Sequence, residues 1–223
     1  QLEQRARAEV DARHRDFSDV ERANVAHAIA IGALRYFLLK FTRGTIIVFD
    51  FKDALSFEGE TGPYVQYAVV RARNIFRKVR EQESDFSLDR LRQNIDSAAA
   101  ARLLAPPEGN DLWELLLLAG SLGAQIEAAA GAHEPAFIAK YAFQLAQQFN
   151  LFYHKHHILS EEDRGKKDFL LLLSALVEKQ LVTALDLLGV EARSEEHTSE
   201  LQSRHYRVWR GQAGVAGGGG GGG

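Results

Sequence analysis

The sequence predicts a mainly α protein, an antiparallel helical bundle preceded by a short α/β segment. Apolar residues recur at helical spacing along most of the chain, and capping residues with glycine or proline stops divide it into helices. Only residues 45–51 form the β-branched and aromatic run that is typical of a strand. The 223 residues, 46% of them hydrophobic, are enough for one or two domains.

The predicted helices follow one another in a regular order. Ser18 and Glu21 form a capping box at the start of a long helix that ends before Gly44. A second capping box, Asp111 with Glu114, opens a leucine-rich helix. The helices after Gly44 are predicted over residues 63–80, 88–104, 111–130, 135 onward and 161–188.

The composition excludes several classes of site and of protein. The chain contains no cysteine, which excludes a disulfide framework, a thiolate metal site and a cysteine nucleophile. It contains no run of about 18 uncharged apolar residues, so no membrane-spanning helix is predicted. It also has no methionine, even at position 1, and we expect it to be a fragment that lacks its natural N-terminus.

The tail, residues 193–223, differs from the rest of the chain. Residues 193–203 resemble the in-frame translation of a sequencing-library adapter, and the tail ends in seven consecutive glycines. We expect this tail to be a disordered artefact outside the fold. Removing its four arginines and three glutamates from the 27 basic and 30 acidic residues leaves 23 against 27. A nucleic-acid partner would therefore need locally segregated positive charge.

The helix predicted over residues 63–80 is rich in cations. Its apolar stripe leaves two outward sides, which carry Gln66, Tyr67, Arg71, Arg73, Asn74, Arg77, Lys78 and Arg80. Such a set is either a solvated face or a surface that faces RNA. Tyr64 and Tyr67 favour RNA, because aromatic rings interleaved with cations suit unpaired bases.

A second cluster, residues 153–157, also has open interpretations. His154 and His157 share a helix face at i and i+3, without further ligands, so a metal site is disfavoured. The cations could instead complement a helix C-terminus, with His156 in the core. In a nucleic-acid site, Phe152 or Tyr153 would stack with a base while His154 and Lys155 contact phosphate. The cluster alone does not decide among these roles.

Several motifs closely resemble the arginyl-tRNA synthetase family. They are IGALRYF at 31–37, FDFKDALSFEGETGPYVQYA at 49–68, ARNI at 72–75, FNLFYH at 149–154 and ALDLLGV at 184–190. The similarity covers essentially residues 1–192. Two other interpretations remain: a sister class I synthetase such as the cysteinyl enzyme, against which the run GETGPYVQY argues, or a non-enzymatic helical interaction domain.

The resemblance implies a class I enzyme that activates arginine with ATP and Mg²⁺ and transfers it to tRNA(Arg). The family's His-x-Gly-His and Lys-Met-Ser-Lys-like motifs, which hold ATP, are absent from this sequence. We therefore expect no catalytic residue, cofactor site or metal site in these residues, and an inactive fragment. Residues 1–61 would be the stem-contact end of the catalytic region and 62–192 the anticodon-binding domain of a cytoplasmic, monomeric protein.

The resemblance also implies where tRNA binds. By position, the family's tRNA contacts fall on Tyr67, Arg71, Tyr153 and His154. Together with the residues chosen by pattern, the candidate tRNA-binding set is Tyr64, Tyr67, Arg71, Arg77, Phe152, Tyr153, His154 and Lys155. The family usually ends in a Pro-Glu-Arg-Met-like terminus that helps to hold the anticodon loop, whereas this sequence departs after Ala192.

Overall fold

A computed structural model of the chain describes residues 1–13 and 17–192. Within these ranges the chain forms ten α-helices and one 3₁₀ turn, Ile158–Ser160. In chain order the helices are α1 (Leu2–Arg13), α2 (Asp19–Leu39), α3 (Phe51–Ala54), α4 (Gly62–Gln82), α5 (Leu88–Asn94), α6 (Ser97–Leu103), α7 (Asn110–Gly120), α8 (Leu122–Ala132), α9 (Ala136–Lys155) and α10 (Arg164–Leu187). The predicted helical bundle is confirmed. The adapter-like tail, residues 193–223, lies outside the described residues.

Helix α2 begins as its capping signal predicts. The backbone N–H of Glu21 donates to Ser18 Oγ at 3.3 Å, and the backbone N–H of Ser18 donates to the Glu21 carboxylate at 2.8 Å. These reciprocal bonds satisfy two backbone donors that a helix N-terminus leaves open. Helix α1 packs against α2 through Ala6, Val10 and Ala26, which are buried.

Helix α4 lies at the centre of the bundle, packed by α2, α9 and α10. The Thr61 hydroxyl caps its start by accepting the backbone N–H of Tyr64 at 3.2 Å. Since three helices surround α4, polar side chains predicted to lie outside the apolar stripe are buried. Gln66 is fully enclosed, and Arg71 and Asn74 are only 7% and 4% exposed. Of the two alternatives that the sequence left open, a solvated face does not describe these three residues.

The helix predicted over residues 88–104 is in fact two short helices, α5 and α6. Asp96 separates them, because its carboxylate accepts the backbone N–H of Ala98 at 3.0 Å and caps α6. A side chain that caps a new helix competes with continuation of the previous one. The break therefore follows from an Asx cap that the apolar pattern did not reveal.

The leucine-rich helix predicted over residues 111–130 is also divided, into α7 and α8, at Ser121. The Ser121 hydroxyl donates to the Leu118 carbonyl at 2.8 Å and tightens the last turn of α7. The predicted capping box is absent, since α7 begins without a side-chain cap and Asp111 bonds to α9 instead. Within the described ranges, no single helix has the length and apolar content for a membrane span; α7 and α8, bent by 42°, pass that test only as a pair.

Two buried tyrosines fix the position of α9, which contributes half of the candidate site. Tyr36 Oη donates to the Ala139 carbonyl at 2.7 Å and ties α9 to α2. Tyr141 Oη donates to the Ala119 carbonyl at 3.1 Å and ties α9 to α7. Buried phenols need such partners, because an unpaired hydroxyl in the core is costly. Helix α9 is therefore held from both sides.

The run predicted as a strand, residues 45–51, forms no strand: residues 45–50 lie in no regular element, and Phe51 begins α3. No strand occurs within residues 1–13 and 17–192, because an extended run needs a neighbouring backbone to form a ladder. The segment instead rests on α2, where the rings of Phe49 and Phe37 meet edge to face at 4.9 Å between centroids.

Candidate nucleic-acid interface

Four side chains meet where α4 packs against α9, and we call them the Arg71 cluster: Tyr67, Arg71, Asn150 and Tyr153. Tyr67 and Arg71 are one helical turn apart on α4, and Asn150 and Tyr153 are one turn apart on α9. The Arg71 guanidinium carbon lies 4.9 Å from the centroid of the Tyr67 ring and 4.8 Å from that of the Tyr153 ring. The cluster joins the two sequence regions that were predicted to contact RNA.

Hydrogen bonds fix the orientation of Arg71 between the two rings. Arg71 Nη1 donates to Asn150 Oδ1 at 2.7 Å, and Arg71 Nη2 donates to Tyr67 Oη at 3.2 Å. A planar guanidinium stacks on aromatic faces while its edge donates hydrogen bonds, which lysine does not reproduce. Because Arg71 is 7% exposed, its charge is held in place beside the surface rather than extended into solvent.

His154 lies next to the cluster, with its ring edge-on to Tyr153 at 6.1 Å. Burial, and then the positive charge of Arg71, lower the pKa of His154 below its ordinary value. The imidazole is therefore neutral at pH 7, and it offers RNA a hydrogen-bond donor and acceptor rather than a full positive charge.

Phe152 and Tyr153, which the sequence left as alternatives for stacking, lie on different faces of α9. Phe152 is 3% exposed and stacks on Phe149 in the core, at 5.8 Å between ring centroids. Tyr153 is half-buried at the surface. The structure therefore places Tyr153, and not Phe152, where a base could reach it.

Lys155 and His156 form a polar link between the end of α9 and the start of α7. Lys155 Nζ forms an ion pair with one Asp111 carboxylate oxygen at 2.8 Å, and His156 Nε2 contacts the other oxygen at 2.7 Å. Burial alone raises the pKa of Asp111, but these two bonds outweigh it and hold that pKa below its ordinary value. Lys155 therefore has an acidic partner, while it remains exposed at the edge of the site.

Arg77 is not part of the Arg71 cluster. It lies six residues further along α4, which corresponds to about 9 Å of helix. Its guanidinium pairs with Glu81 at 2.5 Å and contacts Asn74 Oδ1 at 3.3 Å. Any RNA contact by Arg77 would thus be peripheral and would compete with Glu81.

Tyr64 lies at the other end of the site, and its neighbour Phe143 lines a hollow of about 500 Å³. The Tyr64 ring packs on Phe143 of α9 at 5.5 Å between centroids. Phe143, Lys40, Lys140 and Gln147 line the hollow, so the polar surface of α9 continues from the Arg71 cluster toward the start of that helix.

Asn150 is the site residue that the sequence interpretation missed. A signal was present, because Asn150 stands one helical turn before Tyr153 within the quoted FNLFYH motif. Among the described residues, no three His, Asp or Glu side chains gather in a way that could hold a metal ion.

The fold and the site define a class: an all-α bundle with an arginine held between two tyrosines on one face. The model of the DALR anticodon binding domain matches residues 65–195 of this sequence. The chain belongs to this family.

Curated relatives and a solved structure also point to the arginyl-tRNA synthetases. The arginine–tRNA ligase of Streptococcus uberis is 36% identical over 192 residues, which are 84% of this chain and 30% of that protein. The arginine–tRNA ligase of Thermococcus kodakarensis is 33% identical over 189 residues, covering 85% of this chain and 28% of the relative. The structure of Thermus thermophilus arginyl-tRNA synthetase superimposes with a TM-score of 0.70 at 30% identity, covering 86% of this chain and 30% of that one.

These similarities confirm the resemblance to arginyl-tRNA synthetases and favour it over the sister-synthetase interpretation. The chain spans about 30% of the length of the curated relatives it matches. What those longer proteins do as a whole therefore enters only as a proposal.

Proposed function

We propose that this chain is the tRNA-binding region of an arginine–tRNA ligase and binds the anticodon stem-loop of tRNA(Arg). The observation that supports this most directly is the Arg71 cluster, which lies inside the residues matched by the anticodon-binding family. Ordered cations stacked with tyrosines are suited to unpaired bases, since every base offers a π-face and a polar edge.

In this proposal, the side chains of the site have distinct roles. An unpaired base stacks on Tyr153 at the surface of the Arg71 cluster. The neutral His154 contacts the polar edge of that base or the adjacent ribose. The exposed Lys155 and the half-buried Arg77 contribute peripheral phosphate contacts, while Tyr64 supports the far end of the surface. Phe152 contributes from the core by holding α9 in register.

The wider assignments belong to the same proposal. Residues 1–61 would face the catalytic region and the tRNA stem, and residues 62–192 would form the anticodon-binding unit. Arginine and ATP with Mg²⁺ would bind to parts of the ligase other than these residues, because the sequence holds neither ATP-binding motif of the family. The ligase would act as a monomer in the cytoplasm, where its tRNA is used.

Filter binding with the 223-residue chain tests the proposal. We expect tRNA(Arg) to bind at least about tenfold more tightly than a tRNA with a different anticodon loop, a preference of about 1.4 kcal/mol. Affinity should fall as salt rises, because phosphate contacts release counterions. Equal affinity for both tRNAs would indicate that the site binds RNA without specificity. The absence of RNA binding would favour a protein-interaction domain.

A further inference from the structure

The cations at the edge of the site have acidic partners, whereas the central cation does not. Lys155 Nζ pairs with Asp111 at 2.8 Å, and Arg77 Nη1 pairs with Glu81 at 2.5 Å. Arg71 instead donates to an asparagine amide oxygen and lies between two tyrosine rings, and no acid is paired with it in the described part of the chain. The site therefore has an uncompensated positive charge at its centre and compensated charges at its edge.

The Asp111 carboxylate is fixed more firmly than that of Glu81. One of its oxygens contacts His156 Nε2 at 2.7 Å, and the other, Oδ1, is buried with Lys155 as its cationic partner. The Asp111 side chain is 26% exposed, whereas the Glu81 side chain is 58% exposed and lies one turn from Arg77 on the same helix. Because Asp111 is held from two sides, it stays beside Lys155 when RNA approaches, while Glu81 can turn into solvent.

Acidic partners of this kind alter which RNA a cationic surface binds. A contact between a free cation and a phosphate releases counterions and carries no sequence information, so it strengthens binding to every RNA. If the cation already has an acidic partner, the phosphate has to replace that partner, and exchanging one anion for another gains little. Affinity then depends more on the bases that stack and form hydrogen bonds at the centre of the site.

We propose that Asp111, with a smaller contribution from Glu81, is a specificity-determining residue that weakens the binding of non-cognate RNA by compensating the cations at the edge of the site. This inference rests on the proposed function. An anticodon loop whose bases fit the Arg71 cluster holds its phosphates beside Lys155 and Arg77, and this proximity lets the phosphates displace the acids. An RNA whose bases do not fit leaves both pairs intact.

The salt dependence of RNA binding by the 223-residue chain tests this inference. The probes are tRNA(Arg) and a non-cognate tRNA with a different anticodon loop, and filter binding gives both affinities at several salt concentrations. The test variant is Asp111→Asn, which removes the charge and keeps an oxygen for His156.

For the non-cognate tRNA, we expect Asp111→Asn to steepen the slope of log affinity against log salt by about 0.7, the value of one more phosphate contact. The slope for tRNA(Arg) should not change, since Lys155 already contacts phosphate in that complex. At about 50 mM salt, the preference for tRNA(Arg) should therefore fall by roughly threefold or more.

Three further variants show whether the effect passes through the edge cations. Adding Lys155→Gln to Asp111→Asn should restore the original slope, because the released cation is gone. Glu81→Gln, which leaves the α7–α9 link intact, should steepen the non-cognate slope by a smaller amount. Asp89→Asn is the matched control and should change neither slope, because it makes the same change in net charge while its partner Arg92 lies on α5 outside the site. Circular dichroism establishes that each variant is folded.

The possible outcomes separate this inference from the proposed function. Unaltered non-cognate slopes in folded Asp111→Asn and Glu81→Gln variants, with a normal preference of the unsubstituted chain for tRNA(Arg), would overturn this inference alone. Equal steepening in Asp89→Asn would also overturn it, because the effect would then come from net charge. Steeper slopes in a chain that shows no preference for tRNA(Arg) would overturn the proposed function instead.

Discussion

Replacing Arg71 by methionine should destabilise the bundle substantially. The change removes a charge-assisted hydrogen bond to Asn150, worth about 1.5–3 kcal/mol, and leaves a partly buried acceptor without its donor. It also removes two contacts with tyrosine rings, each worth about 0.5–1 kcal/mol. Relief of a buried charge offsets part of the loss. We expect the free energy of unfolding to fall by about 2–3 kcal/mol.

Urea denaturation followed by circular dichroism measures this loss as a shift of the midpoint at unchanged slope. Arg77→Met is the matched control, because the pair that Arg77 makes with Glu81 is largely exposed and should be worth less than about 0.5 kcal/mol. A double-mutant cycle with Asn150→Ala should give a coupling of about 1–2 kcal/mol. A stability of Arg71→Met within about 0.5 kcal/mol of the unsubstituted chain would refute the reasoning.

Three other contacts give measurable outcomes. In an NMR titration, Arg71→Met should raise the pKa of His154 toward its ordinary value, since a nearby positive charge is lost; an unchanged pKa would contradict this. Asp111→Asn should cost about 1 kcal/mol of stability at pH 7, and the difference should shrink as the pH falls through the lowered pKa of Asp111, where the native carboxylate becomes neutral; equal urea midpoints at pH 7 would count against the α7–α9 link. Gly62→Ala should cost about 1–3 kcal/mol, because its Cβ would lie 2.8 Å from a backbone oxygen of α2, whereas Gly131→Ala meets open space and should cause no loss; a thermal melt compares the two, and equal melting temperatures would contradict the close helix packing.

The helices could be predicted because their signals are local. The capping box at Ser18 and the proline at position 63 act within one turn of the residues they organise. The breaks before Ser97 and at Ser121 were missed, because a single cap or hydroxyl competes with a helical pattern that otherwise continues. Apolar periodicity reports which face is buried and is insensitive to such interruptions.

The burial of polar residues on α4 could not be predicted from that helix alone. Whether Gln66 and Asn74 meet water depends on how many helices surround α4, and this is set by tertiary packing. For the same reason, the composition left Arg71 open as either a solvated or an RNA-facing residue. Its hydrogen-bond partner on α9, Asn150, is 79 residues away in sequence, and only the fold brings the two together.

Which of Phe152 and Tyr153 could stack with a base depends largely on side-chain chemistry, which the sequence does show. Phenylalanine has no polar atom and favours the core, whereas the hydroxyl of tyrosine suits a surface that is apolar on one side and wet on the other. The structure places the two rings in agreement with this chemistry. Asn150 was missed because the side chain of an asparagine within a helix can have several roles, and only its partner shows which one applies.

Binding of the anticodon stem-loop of tRNA(Arg) to Tyr153→Ala tests the central claim most directly. We expect a folded variant whose affinity falls by about 1–3 kcal/mol through lost stacking. Trp113→Ala, which removes an exposed aromatic ring on α7 outside the site, is the control and should bind normally. Full affinity in a correctly folded Tyr153→Ala variant would contradict the claim that this face of the bundle holds unpaired tRNA bases.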